Sequence, residues 1–180
     1  MSAGQENTTM KPETKQQVAE ALMEFRLPRY HEIPTVGLYL EQTAKYINEY
    51  LLPLQENMLT TSMISNYVKK DLIPNPVKKL YYRDQIAYLF FIAVAKNVLS
   101  LDALIGFIKL QQQTYDLPKA YNYFCDELEN LLQFTFDLKG TLEVLGEDNT
   151  DEKKLLYTCI VSAVQKVYLE KCLKAIADGE

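Results

Sequence analysis

The 180-residue sequence is poor in the residues that build metal centres, disulfide frameworks and phosphate-binding loops. It has one histidine, three widely spaced cysteines and only six glycines. Cys125, Cys159 and Cys172 are odd in number and form no C-x-x-C pair, so neither a disulfide framework nor a zinc ribbon is predicted. His31 has no second histidine with which to share a metal, and it is interpreted as a residue of a connecting loop.

Signatures of catalysis are also absent. The sequence contains no G-x-x-x-x-G-K-S/T, no G-x-S-x-G and no H-E-x-x-H. The neighbouring carboxylates Asp126 and Glu127 fall in an acidic helical stretch, where solvation is the usual explanation. We therefore predict that the protein is not an enzyme, that it needs no cofactor, and that it has no catalytic or metal-ligating residue.

Long hydrophobic runs are missing as well. The longest apolar run, residues 86–95, is half of the roughly 20 residues that a membrane span requires. The N-terminus lacks a basic segment followed by an apolar one, so no secretory signal is recognised. A cytoplasmic protein without a membrane partner is the expectation.

What the sequence does contain is helical periodicity, and it predicts an all-α fold. Residues 1–14 are polar and are predicted to be a flexible tail, residues 15–112 to form one domain, and residues 113–180 to form a helical C-terminal region. The helix over 83–98 is apolar on almost every side and is predicted to be central. The predicted helices span about 15–25, 38–52, 61–70, 83–98, 118–138 and 151–177, with a further helix starting after Ser100.

Charge divides the chain unevenly. Residues 111–180 carry 7 basic and 13 acidic residues, a net of −6, whereas residues 1–110 carry 12 and 11, a net of +1. Against this acidic background, five Lys or Arg residues and one acid, Asp71, fall between residues 60 and 83, a local net of +4. A basic patch on an acidic protein is typical of a site for a polyanion, although it also occurs as a simple solvated face.

The basic patch has an internal order. A helix is predicted to begin at Thr60 or Thr61, with Met63, Ile64 and Tyr67 facing inward and hydrogen-bonding or cationic side chains facing outward. Pro74 and Pro76 then turn the chain, because neither can continue a helix. The run V-K-K-L-Y-Y-R that follows is predicted to be a short, strand-like basic wing.

This order resembles a known DNA-binding module. The run M-I-S-N-Y-V-K-K-D-L-I-P-N-P, followed by Y-R-D-Q-I-A-Y-L, is similar to the winged helix-turn-helix of MerR-type regulators. Ser65 stands where that module usually has Arg, and Asp71 where it usually has Gly. A closer resemblance covers roughly residues 27–110: I-P-x-x-x-L-Y-x-x-Q at 33–42, joined to the same module, resembles the bacterial family called domain of unknown function 1836.

The resemblance implies a transcriptional regulator that binds double-stranded DNA through the major groove and the backbone. It also implies a small β wing, a homodimer, and a small-molecule effector whose identity is left open. Outward polar side chains of the helix would meet bases or phosphates, and the cations would neutralise phosphates. The predicted DNA-binding residues are Thr61, Ser62, Ser65, Asn66, Lys69, Lys70, Lys78, Lys79, Tyr81 and Arg83.

A helical protein-interaction module that keeps the winged-helix shape without binding DNA is the alternative hypothesis. The C-terminal helices leave three arrangements open: they dimerise, close over the apolar helix, or line a pocket. Six aromatic residues are candidate pocket walls, although at helical spacing plain core is the commoner role. They are Tyr115, Tyr121, Tyr123, Phe124, Phe134 and Phe136.

Overall fold

The computed structural model describes residues 11–54 and 57–178. Within those ranges the chain is all-α, as predicted, and no strand forms. Residues 1–10 of the predicted flexible tail lie outside the described residues. The helices are α1 Pro12–Glu20, α2 Leu40–Leu51, α3 Thr61–Lys69, α4 Arg83–Ala95, α5 Leu101–Thr114, α6 Leu117–Thr135 and α7 Asp151–Asp178.

The first helix departs from its predicted bounds. It begins at Pro12 and ends at Glu20, whereas residues 15–25 were predicted. Proline is well suited to the first turn of a helix, where its missing N–H has no intrahelical partner. Leu22 and Phe25 are buried, but both lie beyond the end of the helix.

Side-chain caps fix where three helices begin. The hydroxyl of Thr60 accepts from the N–H of Met63 at 3.1 Å, which confirms the predicted start of α3. Ser100 caps α5 in the same way, as predicted, and the Asp116 carboxylate caps α6. Each cap satisfies an amide that would otherwise lack a partner in the first turn.

Helix α4 is the centre of the fold, as its apolar composition predicts. Ten of its residues are buried, and α2, α6 and α7 pack around it. Phe90 makes ring contacts with Tyr46, Tyr50 and Tyr121 at centroid distances of 5.9, 5.8 and 6.2 Å. One hydrophobic cluster runs from Leu22 to Val164. The C-terminal helices therefore close over α4, and the division at residue 112 stays a prediction.

The predicted β wing is replaced by a minimal hairpin, residues 77–80, which we call the lysine hairpin. Val77 and Leu80 exchange two backbone hydrogen bonds of 3.0 and 2.9 Å. Leu38 and Tyr81 exchange two more, of 2.9 and 2.8 Å. Both pairs are isolated bridges, so neither extends into a strand. The segment is too short for a ladder, because Pro76 precedes it and α4 begins at residue 83.

The connector between α1 and α2 is ordered, as predicted, and long-range bonds hold it. The guanidinium of Arg29 donates two hydrogen bonds of 2.7 Å to the carboxylate of Glu129 on α6. From the other side, Arg83 donates to the carbonyl of Ile33 at 2.9 and 2.7 Å and to that of His31 at 3.0 Å. His31 lies in the 3₁₀ turn Tyr30–Glu32, which confirms it as a connector residue.

Candidate nucleic-acid interface

Helix α3 has one buried face and one polar face. Ile64 and Tyr67 are buried and Met63 is half-buried, as the inward stripe predicts. On the opposite face Ser62, Asn66 and Lys69 are exposed, and Thr61 and Ser65 are half-buried. Of the seven helices in the described ranges, α3 is the one without an acidic side chain. Nothing on its outward face would repel a phosphate.

A side chain of α2 fixes the entry into α3. The amide of Asn48 donates to the carbonyl of Leu59 at 2.8 Å and accepts from the N–H of the same residue at 2.8 Å. Leu59 itself is buried. Asn48 thus satisfies both backbone groups of the residue that precedes the Thr60 cap, and it holds the start of α3 against α2.

The exit from α3 is a left-handed cap. The N–H of Leu72 donates to the carbonyl of Tyr67 at 2.9 Å, and that of Asp71 donates to Val68 at 3.1 Å, the pattern of a Schellman motif. Asp71 has φ 53°, a conformation that normally favours glycine. Leu72 and Ile73 are buried and pin the chain there. The turn keeps its geometry although Asp71 stands in place of the expected glycine.

The lysine hairpin is a strained turn with a charged tip. Lys78 and Lys79 have φ of 51° and 67°, so both central residues are left-handed, as in a type I′ hairpin turn. Such turns strongly prefer Asn-Gly, because a side-chain-bearing residue pays about 1–2 kcal/mol for this conformation. Both lysine side chains are exposed. The tip therefore carries two positive charges where relaxed geometry favours other residues.

Two further contacts place the lysine hairpin. The amide of Gln85 donates to the carbonyls of Pro74 and Asn75 at 3.0 Å each, which ties the proline turn to the start of α4. Gly37 packs against the other side, where an added Cβ would lie 2.7 Å from the Cβ of Leu80. Neither the role of Asn48 nor the hairpin contacts of Gln85 is predicted from the sequence. The available signal for Gln85 is the spacing Y-x-x-Q at 39–42, which recurs at 82–85.

Nine of the ten predicted DNA-binding residues lie at least partly on the surface. Tyr81 does not: its side chain is only 4% exposed, because its backbone pairs with Leu38 and draws the ring into the core. Burial also raises the pKa of Tyr81. The guanidinium of Arg83 is occupied with the connector carbonyls and lies 5.4 Å from the ring of Tyr30. We therefore assign both residues to packing and positioning.

Four lysines are left as the available charge of this surface: Lys69, Lys70, Lys78 and Lys79. All four are exposed, and none pairs with an acid among residues 11–54 and 57–178. Asp71 is the one acid between residues 60 and 83. We call α3's outward face together with these lysines the basic surface.

No group of three or more His, Cys, Asp or Glu side chains is placed to hold a metal ion in the described ranges. Nor does any helix there combine the length and the apolarity needed to traverse a bilayer.

A family model matches more than half of the chain. The model of a family described as "Domain of unknown function (DUF1836)" matches residues 28–124. This range includes α2 to α5, the lysine hairpin and the basic surface. No curated protein and no solved structure matches the chain.

Proposed function

The chain belongs to the DUF1836 family, and we propose that it is a transcriptional regulator that binds duplex DNA through the basic surface. In this proposal α2 and α3 are a helix-turn-helix of MerR-like form, and the lysine hairpin is a minimal wing. Helix α3 enters the major groove, and the wing contacts the backbone beside it. The protein acts in the cytoplasm as a homodimer on a two-fold related site.

The observation that carries the proposal is the strained pair at the tip of the lysine hairpin. Lys78 and Lys79 occupy left-handed positions and have no acidic partner among the described residues. Strained backbone conformations of this kind cluster at functional sites, where the surrounding structure maintains them. Two cations kept at such a cost support a role in binding a polyanion.

The rest of the basic surface fits a duplex. Ser62, Ser65 and Asn66 supply hydrogen-bonding groups for base edges or phosphates. The amides of the first turn of α3 carry the positive end of the helix dipole, with no acid present to neutralise it. Lys69 and Lys70 lie at the other end of the same helix, so both ends of α3 favour phosphate.

Fluorescence anisotropy with a labelled random-sequence duplex of 30 base pairs tests the proposal. Wild type is expected to bind at low salt, with an affinity that falls as salt rises, because each phosphate contact releases counterions. Lys69→Glu/Lys79→Glu is expected to abolish that binding. Lys109→Glu/Lys154→Glu makes the same change in net charge on α5 and α7 and is the matched control. Equal losses in the two double variants would refute a localised site.

A protein partner is the second candidate, and an apolar group beside the hairpin favours it. Val36, Tyr39, Val77 and Tyr82 are 75%, 55%, 58% and 39% exposed. The Leu38–Tyr81 bridge and the approach of Gly37 to Tyr82 bring their segments together. A helical interaction module predicts no duplex binding at any salt concentration, so the same anisotropy measurement separates the two functions.

A further inference from the structure

A cavity lies where α4, α5, α6 and α7 meet. The space between these helices is about 350 Å³, including its open mouth. Phe91 and Phe124 stand in the wall, and Phe91 stacks on Phe107 with 5.1 Å between ring centroids. Tyr88 and Phe107 are half-exposed, so the cavity reaches the surface on their side. Two of the six predicted candidate aromatics, Tyr121 and Phe124, line it.

One charged side chain lines this apolar space with an unpaired oxygen. Glu152, in the first turn of α7, is 2% exposed, and its Oε1 is buried with no hydrogen-bond partner in the structure. Lys153, the next residue along the chain, pairs with Asp148 at 3.2 Å. A buried carboxylate without a cation or donor is strongly destabilising, so an orphan of this kind indicates a missing partner.

The polar neighbours in the wall are already engaged. The hydroxyl of Tyr88 donates to the Oε1 of Gln111 at 3.1 Å, and the amide of Gln111 donates to the carbonyl of Tyr115 at 2.9 Å. A water molecule in the cavity would therefore meet Glu152 with few further partners, whereas buried waters usually make about three hydrogen bonds. The chemistry of the walls favours an organic cation, because aromatic faces attract positive charge.

We propose that this cavity binds a small organic ammonium ion, with its charged head on the Oε1 of Glu152 and its hydrocarbon body against Tyr88 and Phe107 at the mouth. An ammonium ion beside the carboxylate would favour its ionised form, which burial alone disfavours. The cavity with its mouth, about 350 Å³ in all, has room for an ammonium head with a short alkyl chain or one ring. This site does not depend on DNA binding.

Titration calorimetry and thermal unfolding of the full chain test the site, with butylammonium and benzylammonium as probes and 1-butanol and benzyl alcohol as neutral counterparts. The ammonium probes are expected to bind at least about tenfold more tightly than the alcohols and to raise the unfolding temperature. Equal binding of the charged and neutral probes, or no binding of either, would overturn the proposal and leave water as the occupant.

Two variants separate the site from general charge effects. Glu152→Gln keeps the shape of the side chain and removes its charge, and we expect it to weaken ammonium binding at least about tenfold. Asp151→Asn changes the adjacent acid, whose side chain is 92% exposed, and should leave binding within about twofold. An unchanged affinity in a folded Glu152→Gln protein would refute the site; if that variant does not fold, the probe pairs on wild type decide.

Discussion

Replacing the tip of the lysine hairpin should make the protein more stable and a poorer DNA binder at the same time. In Lys78→Asn/Lys79→Gly, the two left-handed positions receive the residues that type I′ turns prefer. Each lysine pays about 1–2 kcal/mol for its conformation. The new glycine at position 79 offsets about 0.5–1 kcal/mol of that gain, because it gives the unfolded chain more conformational freedom. Two relieved positions give about 2–4 kcal/mol before this loss, so we expect a net increase of about 1–3 kcal/mol in the free energy of unfolding, measured by urea denaturation.

The same variant loses two exposed cations that have no acidic partner in the described residues. If each neutralises one phosphate, the slope of log K against log salt should become shallower by about 2, since each contact contributes about 0.9. Anisotropy on the random duplex between 50 and 200 mM salt measures the slope. A stabilised variant with an unchanged slope would refute the role of the hairpin tip in DNA binding. A destabilised variant would show that Lys78 and Lys79 do not strain the hairpin.

Two controls separate strain from charge. Lys78→Gln/Lys79→Gln removes the charges but keeps side chains in the left-handed conformation, so it should reduce DNA binding without any gain in stability. Asp137→Gly relieves a left-handed residue, φ 57°, in the cap of α6, outside the basic surface. It should gain about 0.5–1 kcal/mol of stability and leave duplex binding intact.

Three further changes test other parts of the structure. Asn48→Ala leaves both backbone groups of Leu59 unsatisfied. It should lower the free energy of unfolding by about 2–3 kcal/mol, measured in urea, and weaken duplex binding. Unchanged stability would show that these two hydrogen bonds do not hold the start of α3. Gly37→Ala places a methyl group 2.7 Å from the Cβ of Leu80, so it should lower the free energy of unfolding by about 1–3 kcal/mol. The displaced hairpin should also weaken duplex binding, and an unchanged anisotropy curve would contradict that expectation. Burial raises the pKa of Glu152 above 4.5, so the free energy of unfolding of wild type falls as pH rises beyond that value. Glu152→Gln lacks this titration, so its stability relative to wild type should increase between pH 5 and pH 7.5. A stability difference between the two proteins that stays constant with pH would disprove the shift.

Local signals in the sequence were enough for the helices after α1 and for the inward face of α3. Thr60 and Ser100 cap as predicted because capping depends on residues within one turn. The apolar composition of residues 86–95 likewise predicted a central helix, since such a segment has no face to give to water.

Features set by distant residues were beyond such signals. Tyr81 was predicted to be a DNA contact, but its backbone pairs with Leu38, more than forty residues away, and its ring is buried. Arg83 was read as a phosphate ligand, but it serves the carbonyls of His31 and Ile33. The partnerless carboxylate of Glu152 depends on how four helices pack, which no local pattern encodes.

The wing prediction missed for a different reason. The pair Lys78-Lys79 carries no turn signature, because lysine is not among the residues that type I′ turns select. Its composition indicated a short basic strand, whereas the flanking Pro76 and the start of α4 leave room only for a two-residue turn. The charge of the segment was predictable and its backbone was not.

The claim that α3 and the lysine hairpin bind duplex DNA is tested most directly by NMR. Backbone amide shifts of the 20.8 kDa protein, labelled with nitrogen-15, would be followed while the random duplex is added at low salt. Shift changes are expected to concentrate in residues 61–70 and at Lys78 and Lys79. Changes confined to α6 and α7, or no change at any concentration of DNA, would contradict it.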